Sequence, residues 1–157
     1  MPQLHDAATA GDTAGVLALI KAGVPVGGKD NSGKTALHVA AMMGHTETAL
    51  ALVREAGADP AAKDCNDQTA LHFAAINGHT ETALALVNEA GADPAAKTTS
   101  GQTALHVAAM MGHTETALAL VREAGDDPAA KNYEGGKTAL HWAAELGHTE
   151  TALALVR

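Results

Sequence analysis

The tetrapeptide Thr-Ala-Leu-His begins at Thr35, Thr69, Thr103 and Thr138, at spacings of 34, 34 and 35 residues. A block Gly-His-Thr-Glu-Thr-Ala-Leu-Ala-Leu-Val follows each copy, from Gly44, Gly78, Gly112 and Gly147. Residues 35–57 and 103–125 are identical over 23 positions. Periodicity of this fidelity means a tandem array, in which each copy buries its apolar face against the next. The units fall at about 2–34, 35–68, 69–102, 103–137 and 138–157, the last truncated, within a single domain of residues 1–157.

One unit reads as helix, turn, helix, protruding loop. Ala36 to Met43 is a short run of good helix formers, apolar on nearly every side, which predicts an inner, mostly buried helix. Gly44 ends it, since glycine tolerates positive φ. Thr46 to Ala56 predicts a second helix, with Ala49, Leu52, Val53 and Ala56 on one stripe. Glu47 and Arg54 suit the positive and negative ends of its dipole. Gly57 stops it, and the polar stretch Ala58 to Gln68 predicts an extended turn or hairpin.

Composition narrows the partners. The chain is 46% apolar but 2% aromatic, so alanine, leucine and valine must build the core, and small residues bring helices close. Ten basic against 18 acidic residues give a net charge of −8, which repels a phosphate backbone and argues against nucleic acid. No apolar run reaches about 18 residues and no basic-then-apolar leader opens the chain, so no membrane partner is expected. The single cysteine, Cys65, excludes an internal disulfide and fits a reducing, cytoplasmic setting.

A 34-residue period also belongs to tetratricopeptide repeats, but those fill the period with two longer helices and need large aromatics. Here about a third of each period is loop. The motifs resemble the ankyrin repeat instead. Thr-Ala-Leu-His is similar to that family's Thr-Pro-Leu-His, and Gly44-His45 and Gly57-Ala58-Asp59, with their copies, match its Gly-His and Gly-Ala-Asp. The resemblance implies an all-α ankyrin-repeat solenoid of stacked helix-turn-helix units with protruding hairpin loops.

The departures are specific. Alanine (Ala36, Ala70, Ala104, Ala139) replaces the family's proline, and Ala61, Ala95 and Ala129 replace its loop asparagine. The second change predicts a loop without its side-chain hydrogen bonds and without an acceptor for asparagine hydroxylation. The residue in excess of the family's 33 falls between Gly44 and Gly57, which predicts a longer second helix. Asp6 holds the place of Val39, Phe73, Val107 and Trp142, as an N-terminal cap should. The last unit keeps Leu153, Leu155 and Val156 with no polar outer face, which predicts either a piece of a longer array or self-association, as a homodimer through the C-terminal repeat.

No chemistry is expected. All nine histidines occupy two repeat positions: His5, His38, His72, His106 and His141, and then His45, His79, His113 and His148. A metal-binding ladder is one reading; the other, which the repetition favours, is that imidazoles bond loops and neighbouring units. No phosphate loop, nucleophile elbow or cysteine cluster exists. The expectation is no enzyme, no cofactor and no metal site.

Function should then lie where the units differ. One such place is the end of the first helix, with Met42-Met43, Ile76-Asn77, Met110-Met111 and Glu145-Leu146. The other is the loop tips, including Cys65, Asn66, Thr99 and Tyr133. The candidate partner-binding residues are Met42, Met43, Ile76, Asn77, Met110, Met111, Leu146, Cys65, Asn66, Thr99 and Tyr133. The methionine stripe either fills space between helices or forms an adaptable apolar groove for a protein or peptide. Phe73 and Trp142 are read as packing against the previous unit. The alternative from another class is a structural or engineered scaffold with no dedicated ligand, which the 23-residue identity supports.

Overall fold

The computed structural model describes residues 2–157, and among them lie ten helices and no strand. They alternate between two layers. The inner layer holds α1 (Pro2–Thr9), α3 (Ala36–Met42), α5 (Ala70–Ile76), α7 (Ala104–Met110) and α9 (Ala139–Glu145). The outer layer holds α2 (Thr13–Lys21), α4 (Thr46–Arg54), α6 (Thr80–Asn88), α8 (Thr114–Arg122) and α10 (Thr149–Leu155). Each inner helix packs on the next inner helix and on its own outer partner, and the outer helices pack in the same order.

Local chemistry explains each element. Thr35 caps α3 from an extended conformation, its hydroxyl accepting from the His38 amide. His38 closes the capping box in reverse, its Nδ1 accepting from the Thr35 amide at 3.0 Å. The helix ends at Gly44, where φ is +75° and the His45 amide reaches back to the Ala40 carbonyl at 2.9 Å. Seven residues of α3 then present apolar groups all round, and Ala36 through Ala41 are buried.

Two leucine rows run through the stack. Leu4, Leu37, Leu71 and Leu105 line the inner layer, and Leu52, Leu86 and Leu120 the outer layer, all essentially inaccessible. Alanines at 40, 41, 74, 75, 108 and 109 carry no measurable exposure, which lets the inner helices approach closely. Val39, Phe73 and Val107 are buried against their predecessors, whereas Asp6 is exposed.

Two local expectations are corrected. The outer helix is not lengthened: α2 and α4 both have nine residues. The additional residue widens the turn that follows, where the Ala56 amide bonds the Ala51 carbonyl and the Ala58 amide bonds that of Leu52. The loop is also not without side-chain hydrogen bonds. Asp59, Asp93 and Asp127 accept from the amides of Ala61, Ala95 and Ala129 at 2.9 Å, replacing what the missing asparagine would supply.

Candidate functional site

The loop tips form a continuous backbone ladder. The amides of Cys65, Thr99 and Tyr133 donate to the carbonyls of Ser32, Asn66 and Ser100 at 3.0–3.1 Å. The first residue of each tip holds its own turn: Asp30 and Asp64 each accept two amides, and Asn132 accepts one from Lys137. Exposed on the ladder are Ser32, Cys65, Asn66, Thr99 and Tyr133. Lys97 Nζ lies 5.4 Å from the Tyr133 ring centroid, so this tip is a cation beside an aromatic face.

Between the tips and the inner helices runs a cleft of about 470 Å³. Asn66, Thr99 and Ser100 form its upper edge, with Glu134 its one charged residue; Ile76, Val107, Met110 and Met111 form the apolar wall. Five of the residues singled out by divergence between units (Asn66, Ile76, Thr99, Met110 and Met111) therefore meet in one place. Met42, Met43, Asn77, Leu146, Cys65 and Tyr133 do not line it. The stripe also divides in two. Met42, Ile76 and Met110 are half-buried, while Met43, Asn77, Met111 and Leu146 are exposed. Asn77 commits its amide to the carbonyls of Met42 and Phe73.

Trp142 departs from the expected packing role. Phe73 is buried, but Trp142 is only half-buried and lines the cleft together with Gln102 and Gln68. The sequence reading missed Gln68 and Gln102; the alternation of Lys34, Gln68, Gln102 and Lys137 at one repeat position is the signal that could have found them.

The histidines are spent on holding units together. Nε2 of His5, His38, His72 and His106 donates forward, to the carbonyls of Lys34, Gln68, Gln102 and Lys137 at 2.7–3.0 Å. In His38, His72 and His106, Nδ1 accepts from a threonine amide, which fixes the neutral, Nε2-protonated tautomer. Burial holds these three imidazoles below the ordinary histidine value. The second row, His45, His79, His113 and His148, reaches backward to the carbonyls of Thr9, Met42, Ile76 and Met110 at 2.9–3.1 Å. Among the described residues, no three of His, Cys, Asp and Glu are grouped to hold a metal ion.

A third tie was not anticipated. Hydroxyls pair between successive outer helices, Thr13 with Thr48, Thr46 with Thr82, Thr80 with Thr116 and Thr114 with Thr151, at 2.6–2.7 Å. The Thr-Glu-Thr that opens α4, α6, α8 and α10 is its sequence signature, the first threonine reaching forward and the second back, and α2 keeps only the first, Thr13.

The geometry and the comparisons agree. The family model of ankyrin repeats (3 copies) matches residues 4–98 and 91–157, and the chain belongs to the ankyrin-repeat family. Ankyrin repeats are generally protein–protein interaction modules and generally not enzymes. No curated protein matches the chain. No helix among the described residues is long and apolar enough to cross a membrane.

Proposed function

We propose that the cleft between the loop tips and α5, α7 and α9 captures a protein or peptide segment, with Ile76, Met110 and Met111 receiving an apolar side chain. The observation that carries this reading is convergence: residues that vary between otherwise repeated units line one concavity. Methionine walls adapt to different anchors because each side chain has three free torsions. Glu134 at the rim and the net charge of −8 favour basic residues beside the anchor. Asn66 and Thr99 supply polar contacts at the edge, while Met42, Met43, Asn77, Leu146, Cys65 and Tyr133 flank the site. The lone, unpaired Cys65 is in keeping with a cytoplasmic setting.

The test is selection of peptides from a random display library on the intact protein. The expected sequences carry an apolar anchor flanked by Lys or Arg, and Met111→Glu weakens them at least about tenfold without changing the melting temperature, because Met111 is 52% exposed. Undiminished binding to that variant contradicts the reading.

A second reading, self-association through the last helix pair, has its own observation. Leu140, Leu153 and Val156 are exposed, and Leu140 is 36% accessible where its counterpart Leu105 is 1%. Light scattering across a concentration series tests it: mass rising with concentration supports it, and a constant monomer mass rejects it.

A further inference from the structure

Two hydrogen-bonding groups of opposite sense go unmet at the cleft. Gln102 Oε1 and Trp142 Nε1 are each shielded from solvent, and neither has a partner within the protein. Both residues line the cleft. Gln102 is 8% exposed and its backbone is pinned: its carbonyl accepts from His72 Nε2 at 2.9 Å and from the Thr98 amide at 3.0 Å. Trp142 is held from the side by Lys137, whose Nζ lies 4.6 Å from the ring centroid. The repeat explains why the two residues meet. Gln102 and Trp142 stand in the same register as Lys34 and Phe73, where Lys34 Nζ lies 5.4 Å from the ring centroid.

An unmet buried donor or acceptor has lost its water without gaining a partner, so a ligand that satisfies both is favoured beyond its apolar contact. It must offer a donor and an oxygen lone pair together; a hydroxyl does so from a single atom, which would have to reach both groups at once, and a carboxamide from two atoms. A carboxylate has no donor and would face Glu134. An ammonium or guanidinium has no acceptor and leaves Trp142 unmet. A trans backbone amide points its N–H and C=O in opposite directions. A primary carboxamide presents both on one edge.

We infer that this cleft contains a carboxamide-reading subsite: the side chain of a glutamine or asparagine in a partner segment donates to Gln102 Oε1 and accepts from Trp142 Nε1, beside an apolar residue packed on Ile76 and Met110. The inference rests on the groove reading above and names the polar chemistry it selects. Met110 and Met111 supply the movement that admits the carboxamide to two shielded atoms.

Trp142 is the chain's one tryptophan, so its emission reports the subsite directly. The intact protein is titrated with acetyl-Lys-Leu-X-Leu-Lys-N-methylamide peptides in which X is Gln, Glu or Leu, so that X carries the one primary carboxamide. The expected result is a saturable emission change, with the Gln peptide bound about tenfold tighter than the other two. Gln102→Leu levels the three affinities. Trp142→Phe, which restores the residue found at position 73, levels them as well when binding is read by calorimetry. Equal affinities in the original protein overturn the carboxamide inference and leave the groove standing. An unchanged emission with a lowered melting temperature in Gln102→Leu also overturns it, because the two side chains are then paired with each other. Failure of all three peptides overturns it too, and the groove reading falls with it only if the Met111→Glu test fails as well.

Discussion

His38 and His45 stand seven residues apart and tie the same helix pair to opposite neighbours. His38 reaches forward from inside the stack, where it is 1% exposed and uses both ring nitrogens. His45 reaches backward from the turn, half-buried, with its Nε2 bonded to the Thr9 carbonyl and its ring laid against Gly11. The forward row is locked by hydrogen bonding and burial. The backward row is locked by a glycine on the preceding unit: a Cβ on Gly44 would come within 2.7 Å of His79 Nδ1. Repeating one residue type thus does not mean repeating one role.

The comparison can be broken most forcefully at the third unit. His72→Ala leaves the Thr69 amide without its partner, takes one of two donors from the Gln102 carbonyl and opens a cavity. The expected cost is about 3–4 kcal/mol, read by urea denaturation. His79→Ala should cost about 1–2 kcal/mol, since Asn77 still donates to the Met42 carbonyl. Equal losses would show the two rows to be interchangeable.

Glycines come next in size. Gly44→Ala meets both a positive φ and the His79 ring, and should cost about 2–3 kcal/mol. Gly57→Ala, at nearly the same φ but with no atom within 4 Å of the added Cβ, should cost about 1 kcal/mol. Thermal melts of the two variants separate the steric part from the conformational one.

Titration sharpens the forward row. The folded His38, His72 and His106 hold protons less tightly than the unfolded chain does, so stability is full above pH 6.5 and falls as the pH drops below it. Asp126 works in the other direction. It sits where the other units have Ala58 and Ala92, and burial pushes its carboxyl up to about 7 from 3.8. Its proton is kept on folding, so its contribution is full below 3.8 and lost as the pH rises through 7. Asp126→Ala should therefore add about 1–3 kcal/mol at pH 8 and progressively less toward pH 4. In that background, the loss of stability that begins as the pH drops below 6.5 belongs to the histidines, and Asp30, lowered from 3.8, adds its own loss only further into acid. The smallest effect is Thr82→Val, about 1 kcal/mol, which leaves the Thr46 hydroxyl alone.

Much of this was legible in the sequence because repetition exposes framework. The units, the inner and outer helices, the glycine stops and the structural role of the histidines all follow from residues that recur. Legibility failed where an interaction joins different positions of neighbouring units. Thr46 pairs with Thr82, the second threonine of the next copy rather than its own counterpart, and no single-unit reading shows that. The additional residue of each unit was placed in the helix because spacing alone cannot separate a helical turn from the wider turn that closes it. Analogy with Phe73 makes Trp142 a packing residue, but Trp142 is half-buried and lines the cleft beside Gln102, where Phe73 has Lys34 over its ring. Divergence marked Asn66 and Thr99 on the loop tips and Ile76, Met110 and Met111 on the helix ends as two separate places; that they line one cleft, and that the stripe splits into packed and exposed members, depends on how neighbouring units stack.

The central claim is that the buried histidines are neutral ties between units rather than ligands. Long-range proton–nitrogen NMR of the imidazoles tests it most directly, recorded from pH 7 to 5.5 with and without zinc. The account predicts the Nε2-protonated tautomer for His38, His72 and His106, retained below pH 6.5 and unmoved by the metal. Nδ1 protonation at pH 7, or a zinc-induced shift of these rings in the folded protein, would contradict it.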